Sequence, residues 1–310
     1  MKNLKLFVAL YFILILPACD TDSDIVFENP QFSPTMIQSI DADGVVFSAD
    51  VFDLGKLSIE EYGFFYASTN QPRDNNSEKL SFTGTPNGSF TAEAEHSLTK
   101  NGLYYVIAYI KTSKGFVFSD VVRFKSEGSK GFNVQSIEIP SNLYFQDTIT
   151  VRGSNFSRLI SKYQVSVGNT TGIVVEATND YFKFLFPGYL SYMASGPFET
   201  ANISVKILDR VQNFNEPINF REPEFIANPE IVYNINDEVE IKGNYLLSRN
   251  ISISILDGDD RTINVTPTST TGSSIKFIRD FEILTDNPVV SITLRGKNYQ
   301  RSDLFTLSKN

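Results

Sequence analysis

Residues 147–156 read DTITVRGSNF, and this segment decides the fold class. Apolar Ile149 and Val151 alternate with polar residues, which is the period-two pattern of a strand with one buried face. Gly153 follows at a point where a branched side chain would block a turn or a bulge. Residues 237–245, DEVEIKGNY, repeat the pattern 90 residues further on, which indicates a repeated β-unit.

The rest of the chain has the same character. Val, Ile, Thr, Phe and Tyr occur in short runs that Gly, Asn, Asp and Pro interrupt. No apolar i, i+3, i+4, i+7 stripe persists over three helical turns. Two polar linker segments rich in turn-forming residues, at 126–131 and 221–224, divide the chain into blocks of roughly a hundred residues. We therefore predict an all-β protein of tandem immunoglobulin-like β-sandwiches.

Two segments of the first block carry a recognisable pattern: LTKNGLYYVIAY at 98–109 and EYGFFYAS at 61–68. The first is similar to the L-x-P-x-T-x-Y-x-V corner of fibronectin type III modules, with a lysine and a glycine in place of the usual Pro and Thr. The second is similar to a segment common in such modules of bacterial surface lipoproteins. The resemblance implies a fibronectin type III-like domain at 27–126, in which Tyr104 buries its ring and bonds its hydroxyl to the backbone. Strands are expected there at 45–51, 61–67, 89–95, 103–110 and 116–124.

The second block combines a proline, a short gap and a strand that ends in G-x-N-F, all within residues 140–156. VSVG at 165–168 and FKFLFP at 182–187 follow in the order typical of IPT/TIG modules, which are also immunoglobulin-like sandwiches. The resemblance covers most of the block and implies an IPT/TIG domain at 132–221.

The third block repeats the second less closely. Residues 275–278 and 290–294 parallel residues 182–185 and 203–207, but the Asn-Phe ending is lost. Several parallels in the same order predict a divergent IPT/TIG-like β-sandwich at 222–310. A small ligand-binding β-sandwich of another kind is the alternative.

The N-terminus is organised like an export signal. Lys2 and Lys5 precede an apolar run of eleven residues, Leu6–Leu16, which suits a secretory signal and is too short to span a bilayer. The run ends in LPAC, which contains the only cysteine of the chain and resembles the bacterial lipobox. The resemblance implies that residues 1–18 are removed and that Cys19 carries two or three acyl chains as a stable anchor. The alternative is an ordinary signal peptide with a cysteine nearby by chance.

Residues 19–26 form a short acidic tether that contains DTDSD. This segment resembles the surface-export signal on lipoproteins of Gram-negative, Bacteroidetes-type bacteria with starch-utilisation-type glycan systems. The resemblance implies a lipid-anchored outer-membrane protein exposed at the cell surface. In other lineages an aspartate directly after the cysteine retains the protein at the inner membrane. A calcium-binding EF-hand does not fit, because Val26 and Phe32 stand where Gly and Glu are required.

Residues that carry chemistry are few. With 36 acidic against 27 basic residues and no basic run, the chain is a poor partner for nucleic acid. His96, on a predicted strand, is the only histidine; there is no G-x-S-x-G, and the sole thiol is committed to lipid. The sequence therefore does not supply the residues that a nucleophilic triad or a Cys/His metal site needs. DGDD at 257–260 is predicted to be a hairpin turn and not a calcium site, and we expect no enzyme activity, cofactor or metal.

One loop departs from what an IPT/TIG sandwich needs, because the connection between Pro187 and Ala201 is longer than a minimal turn. It carries four candidate ligand-binding side chains: Tyr189, Tyr192, Met193 and Phe198. Such side chains on a loop stack on sugar rings, seat a protein partner, or pack against a neighbouring domain. The chain contains no tryptophan, which counts against a sugar-stacking platform.

The order of the modules resembles accessory surface glycan-binding lipoproteins, in which membrane-proximal modules act as spacers and the binding domain lies at the C-terminal end. The resemblance implies a non-enzymatic protein that captures a polysaccharide for an outer-membrane uptake system, with transporter proteins of that membrane as further partners. The alternative is an adhesion or structural spacer lipoprotein that binds a protein partner.

Overall fold

The computed structural model describes residues 27–188, 200–248, 251–258, 261–285 and 288–309. Within these ranges the regular structure consists of β-strands, apart from a single 3-10 turn at Ile160–Lys162. The strands form sheets that are antiparallel apart from one two-residue pair, and they enclose three main apolar cores. The prediction of an all-β chain of tandem sandwiches is confirmed.

The first unit contains two sheets. Its strands are β1 Gln31–Phe32, β2 Met36–Ile40, β3 Val45–Asp53, β4 Ile59–Ala67, β5 Glu78–Thr83, β6 Ser89–Ala94, β7 Leu103–Thr112, β8 Gly115–Phe118 and β9 Val122–Lys125. In one sheet β3 pairs with β1, β2 and β6; in the other the order is β5-β4-β7-β8, and β9 also pairs with β7. The core between the sheets includes Phe47, Phe64 and Val106.

The predicted tyrosine corner lies at the start of β7. Tyr104 is 5% exposed, and its hydroxyl accepts a hydrogen bond of 2.9 Å from the backbone N–H of Thr99. Asn101 turns the chain with a φ of 65°, a left-handed conformation that asparagine adopts more readily than most residues. The expectation for Tyr104 is therefore confirmed.

The strand predicted at 116–124 is wrong, because the chain forms β8 and β9 with a break between them. The Ser119 hydroxyl accepts a hydrogen bond of 3.1 Å from the N–H of Ala108 on β7. The Ser119 N–H donates in turn to the Ala108 carbonyl. The Ser119 hydroxyl thus takes the place of a backbone carbonyl as the acceptor for the Ala108 N–H. Regular pairing with β7 resumes only at Val122.

The second unit is one seven-stranded path that folds over on itself. Its strands are β10 Asn133–Glu138, β11 Thr148–Ser154, β12 Tyr163–Val167, β13 Thr170–Ala177, β14 Tyr181–Leu185, β15 Thr200–Ile207 and β16 Arg210–Pro217, in the spatial order β10-β11-β14-β13-β12-β15-β16. The first half of β13 pairs with β12 and its second half with β14, so this strand belongs to both layers. Phe156, Phe182 and Val205 are among the buried side chains between the layers.

The third unit repeats this path with one strand divided. Its strands are β17 Glu224–Phe225, β18 Val232–Tyr233, β19 Glu238–Asn244, β20 Ile251–Leu256, β21 Thr262–Val265, β22 Ser269–Thr270, β23 Ser274–Ile278, β24 Val289–Leu294, β25 Lys297–Arg301 and β26 Thr306–Leu307. The sheets have the orders β17-β19-β23-β22 and β21-β20-β24-β25, and β18 pairs in parallel with β26. Residues 266–268, which include Pro267, separate β21 from β22, since proline has no N–H to donate to a ladder.

Equivalent residues of the second and third units share unusual backbone geometry. Asn155 and Tyr245, 90 residues apart, both have a positive φ, 59° and 60°. A Cβ added at Gly153 or at Gly243 would collide with a backbone carbonyl oxygen of the neighbouring strand, β10 or β17. Because only glycine permits this close approach, the repeat seen in the sequence has a direct steric cause.

Buried polar contacts join the first unit to the second. Glu78, at the start of β5, is fully buried; its carboxylate accepts hydrogen bonds from the Ser157 hydroxyl at 2.5 Å and the Lys162 ammonium at 3.0 Å. The Arg210 guanidinium donates to the Ser129 carbonyl at 2.7 Å. Buried polar groups are stable only with their partners in place, so these contacts favour one relative orientation of the two units.

An arginine fills the junction between the second and third units. Arg295 is 7% exposed and donates to the carbonyl oxygens of Arg221, Tyr245 and Leu247. Its guanidinium carbon lies 4.9 Å from the ring centroid of Phe220, within the range of a cation–π contact. The third unit is therefore also held in place by directional contacts.

Candidate functional site

The predicted site residues lie outside the described residues. This applies to the lipidation site Cys19 and to the four loop residues Tyr189, Tyr192, Met193 and Phe198. Their roles stay predictions. Among the residues that the structure does describe, no helix is both long and apolar enough to cross a membrane.

His96 has a structural environment. It lies just after β6 and not on a strand, contrary to the sequence prediction. The side chain is 3% exposed, and Nδ1 is 3.0 Å from the Ser97 hydroxyl. Burial lowers the pKa of the imidazole, because a charged ring would lose its hydration. Ser97 is itself buried at 6% exposure, so His96 and its hydroxyl partner are both enclosed near the first junction.

Asp257 directly follows β20 and acts as a hydrogen-bond acceptor for a neighbouring loop. Its carboxylate accepts hydrogen bonds from the backbone N–H groups of Leu284 and Thr285. It also accepts a hydrogen bond of 3.1 Å from the Arg261 guanidinium. Ile255 pairs with Ile263, as expected for strands joined by a hairpin turn. The described residues contain no group of three or more side chains placed to hold a metal ion.

A cleft of about 580 Å³ lies on the second unit, where β13, β12, β15 and β16 run side by side. Its lining consists of Ile160, Tyr163, Gln164, Val165, Ser166, Thr171, Gly172, Val174, Ser204, Lys206 and Val211. Sites for small ligands have volumes of about 300–1,000 Å³. This cleft is therefore the candidate functional site.

Strand alternation places polar side chains in the cleft. In β12, Val165 is buried in the core while Ser166 is half-buried on the opposite face. In β15, Val205 is buried while Ser204 and Lys206 face outwards. The apolar positions thus hold the sheet against the core, and the positions between them add polar side chains to a lining that also includes Tyr163, Val165 and Val174.

The register brings these outward positions from three strands together. Ser166 of β12 lies opposite Ser204 of β15, and Gln164 lies opposite Lys206. On the other side of β15, Lys206 lies opposite Val211 of β16. Directly opposed residues in an antiparallel ladder have Cβ atoms about 5 Å apart, so the side chains form one continuous surface.

Amides and hydroxyls dominate the outward positions of this surface. Seven of them are Gln164, Ser166, Thr171, Asn202, Ser204, Asn213 and Asn215. Among the described lining residues Lys206 is the one with a charge, and the aliphatic side chains of Ile160 and Val211 are half exposed in the same lining. Amides and hydroxyls both donate and accept hydrogen bonds, a property that suits a ligand rich in hydroxyl groups.

The described lining residues offer hydrogen-bonding groups. None of them carries a carboxylate, whereas glycoside hydrolysis requires a pair of carboxyl groups as acid and base or nucleophile. Tyr163 donates its hydroxyl to the Ser157 carbonyl at 2.5 Å. Burial, with the nearby Glu78 carboxylate, raises the pKa of Tyr163. This phenol stays protonated and serves the fold.

The sequence contains a signal for this site that the loop prediction passed over. NISVK at 202–206 and VQNFN at 211–215 each place amides and hydroxyls at alternate positions. Within a single strand this pattern is typical of any solvated sheet face. It becomes a site only because pairing sets three such strands side by side.

No protein-family model matches the chain, and no curated protein matches it significantly. Solved structures are similar at low identity. A surface glycan-binding protein from Prevotella bryantii has 14% identity and a TM-score of 0.33, over 55% of this chain and 41% of that one. A protein crystallised with a xylogluco-oligosaccharide has 16% identity and a TM-score of 0.28, over 89% and 60%. A domain tandem from titin has 10% identity and a TM-score of 0.27, over 89% and 98%.

The chain thus covers less than two thirds of the first two of these proteins. None of these similarities assigns it to a family.

Proposed function

We propose that this protein is a non-enzymatic, lipid-anchored lipoprotein of the cell surface that binds a polysaccharide as an accessory to an outer-membrane uptake system. The observation that carries the proposal is the cleft of the second unit, with its outward amides and hydroxyls and no carboxylate among its described lining residues. A polysaccharide presents hydroxyl groups that each donate and accept a hydrogen bond. Side chains with the same dual capacity recognise such groups without a net charge.

The position of the cleft suits a polymer. Exposed positions of β15 and β16 continue beyond the lining, so a ligand longer than the cleft can extend across these strands. Asn202 and Asn213 extend the same polar surface along β15 and β16. The half-exposed Ile160 and Val211 offer apolar area to the C–H faces of sugar rings.

The junctions support a role in presentation. Glu78 joins the first unit to the second through buried hydrogen bonds, and Arg295 joins the second to the third. With lipid on Cys19 and the tether at 19–26, a whole sandwich would separate the membrane from the cleft. The first unit would then act as a spacer.

Affinity electrophoresis of the chain without residues 1–19, against a panel of polysaccharides, tests the proposal. We expect retardation by at least one polysaccharide, and we expect Ser166→Trp to abolish it because the indole would fill the cleft. Ser254→Trp is the matched control, since Ser254 is half-buried on β20 of the third unit and lies opposite Ser291 as Ser166 lies opposite Ser204. The control should migrate like the unmodified chain.

Two outcomes would change the proposal. Migration unaffected by every polysaccharide refutes polysaccharide binding and leaves adhesion or a spacer role with a protein partner. Retardation that survives Ser166→Trp but is lost when the loop residues are replaced by alanine moves the site to the predicted loop residues, Tyr189, Tyr192, Met193 and Phe198.

The membrane anchor is tested separately. Cys19→Ser should move the protein from the membrane fraction to the soluble fraction, because the thiol is the acceptor of the diacylglyceryl group. Protease treatment of intact cells should remove the unmodified protein. Full protection from the protease would contradict exposure at the cell surface.

A further inference from the structure

The described lining of the cleft contains one positive charge. Lys206 on β15 lines the cleft and forms no ion pair with any residue that the structure describes. Lys183, on the other layer of the same unit, instead pairs with Glu176 at 2.8 Å. The whole chain has a net charge of −9, so carboxylates are abundant elsewhere. Lys206 is thus an unpaired ammonium in a cleft whose described lining residues include no carboxylate.

Neutral hydrogen-bond donors surround this ammonium. Gln164 lies directly opposite Lys206 in the β12–β15 ladder, and Ser204 precedes it by two residues on the same face. An ammonium has three N–H donors, an amide has two and a hydroxyl has one. A carboxylate has two oxygen atoms and about four acceptor positions, so one carboxylate can accept from Lys206 and from either neighbour at once.

We infer that the polysaccharide is acidic and that Lys206 binds the carboxylate of a uronic acid residue in it. This inference rests on the proposed function and specifies its ligand class. The amides and hydroxyls beside Lys206 hold the sugar hydroxyls, and the single ammonium selects a singly charged sugar. A neutral polysaccharide would leave the ammonium unpaired where the ligand displaces its water, which costs affinity.

The charge of the whole protein sharpens the inference. A chain with a net charge of −9 repels an acidic polymer at long range, and it does so most strongly at low ionic strength. Retardation by an acidic polysaccharide in low-salt gels must therefore come from a local site. Non-specific attraction, which would confuse the same experiment on a basic protein, has the wrong sign here.

Each acidic polysaccharide has a matched neutral counterpart in its carboxyl-reduced form. Polygalacturonate, alginate and hyaluronate, with their reduced forms, are compared in affinity gels and by titration calorimetry. We expect at least one acidic form to bind and its reduced form to bind at least about tenfold more weakly, the loss expected for a charge-assisted hydrogen bond. Lys206→Met should weaken binding of the acidic form by a similar factor and leave the reduced form unaffected.

Two further variants control this comparison. Lys206→Arg keeps the positive charge and should retain most of the affinity for the acidic form. Lys183→Met removes a lysine of the same unit outside the cleft and should change nothing. Thermal unfolding of each variant shows whether it is folded; if Lys206→Met is not, Lys206→Gln takes its place.

The outcomes separate this inference from the proposed function. Equal binding of acidic and reduced forms, binding of neutral polysaccharides alone, or full affinity in Lys206→Met overturns the acidic ligand and leaves polysaccharide binding intact. Absence of binding to every polysaccharide, acidic or neutral, overturns both.

Discussion

Glu78→Gln should weaken the junction between the first and second units. The carboxylate is fully buried, and its three donors all belong to the second unit: the Ser157 hydroxyl, the Arg158 N–H and the Lys162 ammonium. Glutamine has nearly the same shape, and its amide oxygen still accepts a hydrogen bond. The change removes the counterion of Lys162, whose side chain is 15% exposed.

The size of the expected stability loss follows from the burial of the Glu78–Lys162 ion pair. Removal of one partner of a buried ion pair costs about 3–5 kcal/mol, because the other charge is left without compensation. Glutamine keeps part of the hydrogen bonding, and Lys162 keeps some access to water. We therefore expect a loss of about 2–3 kcal/mol in the free energy of unfolding at pH 7.

The stability loss caused by Glu78→Gln should depend on pH. Burial raises the pKa of Glu78, but Lys162, His96 and the Ser157 hydroxyl together outweigh burial and hold that pKa below its ordinary value of 4.5. A carboxylate with a depressed pKa stabilises the fold above its unfolded pKa, and this contribution is lost as the pH falls through the folded pKa. The gap between the unmodified protein and Glu78→Gln should be widest at neutral pH and should narrow below 4.5.

Urea unfolding followed by circular dichroism and tyrosine fluorescence measures the loss, since the chain has no tryptophan. A double-mutant cycle with Lys162→Met isolates the pair, with an expected coupling of about 1.5–3 kcal/mol. Glu138→Gln, which removes an ion pair with Arg152 in which both side chains are half exposed, is the control and should have little effect. A coupling below about 0.5 kcal/mol would refute the reasoning.

Three further changes test the steric and polar arguments by urea unfolding. Gly153→Ala should cost about 2–3 kcal/mol, because its Cβ would collide with the Asn133 carbonyl oxygen; an unchanged midpoint would contradict this. Tyr104→Phe should cost about 1 kcal/mol, since the Thr99 N–H loses its acceptor; equal stability would show that water replaces the hydroxyl. Arg295→Met should cost about 2–4 kcal/mol, because three carbonyl oxygens at the second junction lose their donor. Arg295→Lys should restore only part of the lost stability, because an ammonium does not present its donors in the planar geometry of a guanidinium. Full restoration would contradict a role for that geometry.

The features that could be predicted are those with a local physical cause. The corner at Tyr104 depends on a partner five residues away, so a twelve-residue segment contains all of its parts. Gly153 is required by the close approach of two neighbouring strands, and its equivalent at Gly243 repeats that requirement. Alternation of apolar and polar residues was likewise sufficient to predict an all-β chain.

The errors arose where a contact from another strand decided the outcome. The break between β8 and β9 depends on the Ser119 hydroxyl, which bonds to Ala108 of a different strand. His96 lies beyond the end of β6, where its ring is buried beside Tyr66. Neither contact can be inferred from the residues next to it in the chain.

The candidate site shows where the sequence stops being sufficient. By itself the sequence determined the all-β class, the alternation of buried and exposed positions and the glycines at the crowded crossings, because period-two alternation and steric exclusion act over a few residues. Only the tertiary structure decided that Ser166 lies opposite Ser204, that Lys206 lines a cleft whose described residues include no carboxylate, and that the Glu78 carboxylate pairs with Lys162 of another unit. These residues are dozens of positions apart, and alternation specifies which face a side chain occupies but not which strand becomes its neighbour. That choice depends on register and on the packing of whole sandwiches.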